Sequence, residues 1–222
     1  MIYSLVTTRV KDDNSYLDEW VDYCLKIGFD QVVIYDNDSK VPVIPRWGDK
    51  VKVFLDHSEF RVFPPFNTHQ FIIDLIQPVW LLHLDIDEFP VLYQHKSVND
   101  LLKSYENYGG LVINWRIYGS SGHIKRPDGL VKDNYIYRTS DNYAGAEGGN
   151  CIGKVAVNTK YFQGVGNPHY AISTRDIVNE DFIVTKDGVI NSPCKLCRLN
   201  HYYTRSLEEW KYKVDRGNGD YF

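Results

Sequence analysis

Trp80-Leu81-Leu82-His83-Leu84-Asp85-Ile86-Asp87-Glu88-Phe89-Pro90 is the stretch on which the fold turns. Residues 80–84 form a short apolar run of the kind a buried strand shows, and it passes directly into three acids. In an open α/β sheet, ligands sit beyond the carboxyl ends of the parallel strands. Side chains two apart on an extended segment face the same way, so Asp85 and Asp87 are expected to converge on one ligand. Two carboxylates that close repel each other, and one is driven toward protonation unless a cation lies between them. Carboxylate oxygens suit a hard divalent ion, Mn²⁺ or Mg²⁺, which keeps positions open for phosphate. A solvated turn is the plain alternative, because acids are common in loops. The apolar run before the acids and Phe89-Pro90 after them argue against it.

Upstream, residues 2–8 read as a buried strand. Ser15 is placed to cap a helix with Asp18 and Glu19 in its first turn. Leu17, Trp20, Val21, Cys24 and Ile27 recur at three and four, giving one apolar stripe, and Gly28 closes it. Residues 31–35 form the next strand, with Asp36-Asn37-Asp38-Ser39 at its end. This strand–helix–strand opening predicts an α/β fold with a parallel sheet. Residues 51–55 follow as a strand, and Pro64-Pro65 begins a helix to about residue 76.

Downstream, Ser97 caps a helix that Gly109-Gly110 ends, and residues 111–118 are a strand leading into Gly119-Ser120-Ser121-Gly122. Residues 124–150 lose periodicity and read as a long functional loop. Residues 155–158 are a strand. Asp187-Gly188 predicts a hairpin between 183–185 and 189–190. Residues 195–201 are a last strand, and Ser206 caps a closing helix with Glu208 and Glu209 in its first turn.

The chain has 222 residues, with 25 Lys and Arg against 29 Asp and Glu, a net charge of −4. The basic residues are scattered, which speaks against a nucleic-acid binder, whose affinity comes from neutralised phosphates. With 43% hydrophobic residues the chain can bury enough apolar surface to fold. No signal-peptide pattern opens the sequence, and no apolar run approaches the ~18 residues of a membrane helix. Four cysteines at uneven spacing do not make a disulfide scaffold, and Cys194-x-x-Cys197 is half a zinc site at best. A cytoplasmic protein with reduced thiols is the expectation.

Several blocks resemble the GT-A glycosyltransferases of the family 2 and family 92 type: Leu17-Asp18-Glu19-Trp20, Ile27-Gly28-Phe29-Asp30, Tyr35-Asp36-Asn37-Asp38-Ser39, and the acidic stretch quoted above. His201-Tyr202-x-Thr204-Arg205-Ser206-x-Glu208-Glu209-Trp210, with Lys213, Arg216 and Gly217, is similar to the closing motif of that group. The bare catalytic core is also similar to glycosyltransferase domains encoded by large algal viruses, which would place it in a host cytoplasm. Asp12-Asp13 departs from the group, where many relatives have Asn-Glu. The chain also stops soon after Arg216-Gly217, as a piece of a longer polypeptide would.

The resemblance implies one GT-A domain over 1–222, a mixed, mostly parallel sheet flanked by helices. About 1–90 would bind the nucleotide and about 91–222 would face sugar and acceptor. Thr8, Arg9 and Asp36 would contact base and ribose, with Asp36 accepting the uracil imide N–H, which favours a UDP- or dTDP-sugar. Asp85 would reach the ribose or the metal, and Asp87 would ligate it. His201 would be a further ligand, and an imidazole suits Mn²⁺ better than Mg²⁺. Lys213 and Arg216, three apart on one helix face, would clamp the diphosphate. Trp115, Gly119 and Ser120 would line the sugar pocket.

The expected reaction is transfer of a sugar to a hydroxyl of a glycan or glycoprotein, with inversion, by analogy with the group. Asp141, Glu147 and His169 are the candidates for the base. Two rivals remain: a catalytically silent nucleotide-sugar or glycan-binding module on the same fold, and a metal phosphatase. In phosphatases of the haloacid-dehalogenase style, however, the Asp pair follows the first strand, and here three strands precede it.

Overall fold

The structure is a computed structural model that describes residues 1–58, 66–144, 149–185 and 187–216; of residues 66, 67 and 216 only the backbone is described. β1 (Ser4–Val10), α1 (Leu17–Lys26) and β2 (Gln31–Asp36) form the expected opening unit, and β3 (Val51–Leu55), α2 (Phe66–Ile76) and β4 (Trp80–His83) extend it. β1 pairs in parallel with β2 and β4, and β2 with β3. Their carboxyl ends therefore share one edge, which puts the segments after Arg9, Asp36, Leu55 and His83 side by side.

β5 (Glu88–Leu92), α3 (Val98–Lys103), β6 (Gly110–Ile117), α4 (Val131–Asn134) and β7 (Gly153–Asn158) come next. β7 runs antiparallel between β4 and β6. β8 (Phe162–Asn167) and β9 (Tyr170–Ser173) are a separate hairpin, followed by β10 (Ile177–Val178), β11 (Val184–Thr185), β12 (Cys197–His201) and α5 (Leu207–Arg216). β12 lies between β5, antiparallel, and β6, parallel. Among the described residues the main sheet runs β11-β10-β6-β7-β4-β1-β2-β3.

Helices cover both faces. On one, Trp20, Val21 and Cys24 of α1 and Leu101 and Leu102 of α3 pack on Val6, Ile34 and Leu82. On the other, Ile72 of α2 packs on Leu5, Val33 and Leu81. Central strands buried on both faces are continuous apolar runs, which is why β2 is buried along its whole length.

Four expectations are corrected. Ser15 does not cap α1: it lies in a 3₁₀ turn (Asn14–Tyr16), and α1 starts after Tyr16 without a side-chain cap. β5 was not foreseen, because Phe89-Pro90 had been read only as the far side of the acidic stretch. The Asp187-Gly188 hairpin does not form: β11 pairs backward with β10 instead. Asn179 explains this, since its side-chain oxygen takes the backbone N–H groups of Asp181 and Ile183 and turns the chain there. The long loop over 124–150 also contains α4.

Candidate active site

Two ionisable clusters line the carboxyl edge of the parallel strands. At β1, the Arg9 guanidinium lies 2.7 Å from Asp56 and donates to the Ser58 hydroxyl at 2.8 Å. Beyond it, Arg205, which precedes α5, holds Asp13 at 2.7 Å and so ties the end of β1 to the last helix. Asp12-Asp13, doubtful from sequence alone, thus has a structural role.

The second cluster is the acidic turn after β4. The Glu88 amide donates to the Asp85 carbonyl at 3.0 Å and closes a tight turn, so the segment is not extended and the two aspartates take different lysine partners. Asp85 meets Lys154 of β7 at 3.0 Å. Asp87, 5% exposed at its side chain, meets Lys213 of α5 at 2.9 Å through Oδ2, and its Oδ1 lies 3.5 Å from Nε2 of His201. Burial works to raise both carboxyls, but the ammonium groups outweigh it. Lys154 brings Asp85 down to about 2, and Lys213 with His201 holds Asp87 well below the usual carboxylate range.

Glu88 is the residue that sequence reasoning undervalued. Fully buried, it accepts the Trp115 indole N–H at 2.7 Å and the Asp85 amide at 2.9 Å, with Lys154 at 3.9 Å. Burial pushes its carboxyl well up, and Lys154 offsets this only in part. Trp115, fixed by Glu88, packs on His201 with ring centres 4.4 Å apart and edge-on to His169 at 5.0 Å.

His169 reaches this cluster from the turn of the β8–β9 hairpin, with Nδ1 3.0 Å from the Gly153 carbonyl. A carbonyl oxygen only accepts, so Nδ1 carries the hydrogen and Nε2 the lone pair. Burial, then Lys154, brings this imidazole down to about 4. Lys154 had no sequence signal beyond being a charge at the start of an apolar strand.

Sequence and structure part company at other positions. Asp36 is 1% exposed, and its oxygens accept from the Ser39 and Val43 amides at 3.1 and 2.8 Å. It anchors the loop after β2 and is not an open acceptor; Asp38, half exposed, points instead to His57 at 2.7 Å. Thr8 is fully buried, and its hydroxyl has no hydrogen-bond partner. Asp141 is shared by Arg138 at 2.7 Å and Arg116 at 3.1 Å, and Arg138 first of all lowers its proton affinity. It pins a loop rather than joining the acidic turn. Gly119 donates to the Tyr137 carbonyl and Ser120 accepts from Gly122, contacts that stay within the loops around them. Glu147 and the Arg216 side chain lie outside the described residues.

Whether these residues suit a divalent cation is decided by two orphaned atoms. Asp87 Oδ1 and His201 Nδ1 are buried without a hydrogen-bond partner. The His201 nitrogen beside Asp87 Oδ1 is Nε2, at 3.5 Å, and not the orphaned Nδ1, so an oxygen- and nitrogen-binding ion such as Mn²⁺ fits only where Oδ1 and Nε2 share it. Among the described residues no three His, Cys, Asp or Glu side chains are disposed to hold an ion by themselves. The pair fits the ion only if other ligands complete the shell.

No protein-family model matches the chain, and no curated protein matches it by sequence. Its similarity is to solved structures. GalNAc-T7, crystallised with UDP, GalNAc and Mn²⁺, aligns over 97% of this chain and 48% of its own, at 13% identity and a TM-score of 0.53. Residues 1–349 of TarS from S. aureus, in complex with UDP-GlcNAc, align over 85% of this chain and 60% of that one, at 10% identity and a TM-score of 0.41. The chain thus spans about half the length of the first. The fold is the GT-A type, a mixed α/β sheet flanked by helices.

Proposed function

We propose that the chain is a glycosyltransferase that moves a sugar from a UDP- or dTDP-sugar to a hydroxyl of a glycan or glycoprotein, with inversion, as one GT-A domain over 1–222. The arrangement around Asp87 carries this reading: one oxygen on an ammonium, the other unpartnered beside an imidazole, at the carboxyl end of a central strand. GalNAc-T7, which shares the fold, binds UDP and Mn²⁺ in its crystal structure.

Asp87 and His201 would hold the ion, with Asp85 beside them and donor phosphate oxygens completing the shell. When bound, it supplies Lewis-acid neutralisation of the charge that grows on the departing diphosphate. The rest falls to the chain. Lys213 offers a second positive charge at the same carboxylate, which would act on the diphosphate. Lys154 keeps Asp85 ionised. Asp38 and His57, at the ends of β2 and β3, take over from Asp36 the role of facing the pyrimidine edge.

Glu88 holds Trp115 so that its indole packs on His201 and edge-on to His169. Of the two candidate bases among the described residues, Asp141 and His169, it is His169 that packs against Trp115. Its Nδ1–H is committed to Gly153, so Nε2 can take the proton of the attacking hydroxyl as the new bond forms. A single displacement of this kind inverts the anomeric carbon.

The silent-module reading has one observation in its favour: Asp85 and Asp87 each already carry a lysine. Incubation with a panel of UDP- and dTDP-sugars, with and without Mn²⁺, separates the two. Metal-dependent release of nucleoside diphosphate is the expected result. Donor binding without release in any condition favours the module, and phosphate release from simple esters favours a phosphatase.

A further inference from the structure

Outside the acidic turn, a cavity of about 270 Å³ lies behind the β5–β12 ribbon. Cross-strand register fixes which face it uses. Glu88 is paired with His201, and Phe89 with Asn200. Alternate residues of a strand face opposite ways, so Phe89, Val91 and Asn200 turn away from Glu88, His201 and Trp115. The cavity and the acidic turn are therefore back to back across one layer of backbone.

Protein interiors are close-packed and leave few voids larger than a water molecule. An engineered void of only about 150 Å³ is enough to bind benzene. This space is a half-open cleft walled by folded elements from three parts of the chain, with room for one small ring. Its walls are the rings of Tyr23, Phe89, Tyr118, Tyr135 and Tyr202. The deep ones are fixed against each other, with Tyr118 and Tyr202 centred 4.8 Å apart and Phe89 and Tyr202 5.5 Å apart. Lys132 and Ile136, both exposed, mark the mouth.

The polar groups among those rings are few and defined. Arg198 donates to the Tyr118 hydroxyl at 3.1 Å and to the Asn200 side-chain oxygen at 2.8 Å. Asn200 donates to the Tyr202 hydroxyl at 3.4 Å. Both phenols accept in these bonds, so each keeps its own hydrogen to donate. Burial raises the Tyr202 phenol, which keeps it protonated at neutral pH.

A wholly apolar occupant would strand these donors, and a highly charged one would be stripped of water against five aromatic rings. An uncharged ring that is apolar on its faces and hydroxylated at its edge satisfies both demands. We propose that this cavity binds a single pyranose ring, at a site distinct from the donor site. The lining would read the same way if the transferase reading failed.

Saturation-transfer NMR on the full chain, with methyl β-glucopyranoside, β-galactopyranoside and β-xylopyranoside as probes, tests this. At least one is expected to give saturable ring-proton signals that persist when UDP and Mn²⁺ are added. Ile136→Trp fills the mouth at an exposed position and should weaken binding by roughly tenfold or more. Tyr118→Phe removes one donor and should weaken it by about threefold or more. Absence of signal from all three probes, its loss on addition of UDP, or unchanged affinity in Ile136→Trp overturns the proposal. If wild-type protein binds a pyranoside but not UDP, the transferase reading fails and the cavity stands.

Discussion

Asp87 is the residue on which the proposed chemistry rests, and its neighbours give separable expectations. Asp87→Asn keeps the size and loses the charge, so metal-dependent nucleotide release should fall by about 100-fold or more, measured as free UDP. Glu88 behaves differently because burial already favours its neutral acid. Glu88→Gln keeps one acceptor oxygen for two donors, so it strands either the Trp115 indole N–H or the Asp85 amide at about 1–3 kcal/mol, whereas Glu88→Ala strands both, read from the urea midpoint. A Gln variant as unstable as the Ala variant would show that the two bonds do not contribute separately. The imidazoles set the acid limit of the fold. Burial first, then Lys154, brings His69 and His169 down to about 4. Above the ordinary imidazole value, ~6.5, neither folded nor unfolded chain is protonated there and their full contribution is present. As pH falls from that value toward 4, the unfolded chain takes up protons that the folded chain refuses, so stability is lost. The thermal midpoint should drop across this window, and His69→Gln should flatten the drop. The acids were legible in the sequence as a pattern, but their partners were not: nothing at position 154 announces a lysine that crosses to Asp85, since that meeting depends on β7 inserting beside β4.

Elements were legible where a local signal and burial agreed. The α1 stripe, the Gly28 stop and the Ser97 cap all appear, the last with Ser97 Oγ accepting the Asp100 amide at 3.1 Å. Gly28 is required twice over: its φ is +99°, and a Cβ there would lie 2.6 Å from the Ser97 Cβ at the start of α3. Gly28→Ala should therefore cost more than the roughly 1 kcal/mol of left-handed backbone alone, read from the urea midpoint. The cap of α5 is reciprocal, with Ser206 Oγ and Glu209 exchanging bonds. Ser206→Ala should cost about 1 kcal/mol and weaken UDP binding less than Lys213→Ala does, because it loosens the helix that carries the ammonium without removing it. Isothermal titration with UDP ranks the two. Elements were misread where the pairing partner is remote. β5 and β12 find each other across about a hundred residues, and a dipeptide turn signal at Asp187-Gly188 lost to the side chain of Asn179.

For the whole molecule, the fold class was legible because the buried parallel strands and their helices repeat a pattern that short windows reveal. The acidic edge was legible for the same reason. What brings cationic partners to that edge was not, because it is set by contacts of long sequence separation. Arg205 meets Asp13 across 192 positions and Lys213 meets Asp87 across 126. That closure has a consequence in time. A ribosome delivers the chain from its amino end, so the four parallel strands and the acidic turn leave the exit tunnel well before α5 does. Until then Asp13 and Asp87 are bare anions on a half-built edge, and Arg205 and Lys213 arrive together to neutralise them. Until synthesis has passed residue 213, that edge keeps a surplus of negative charge that repels any anion.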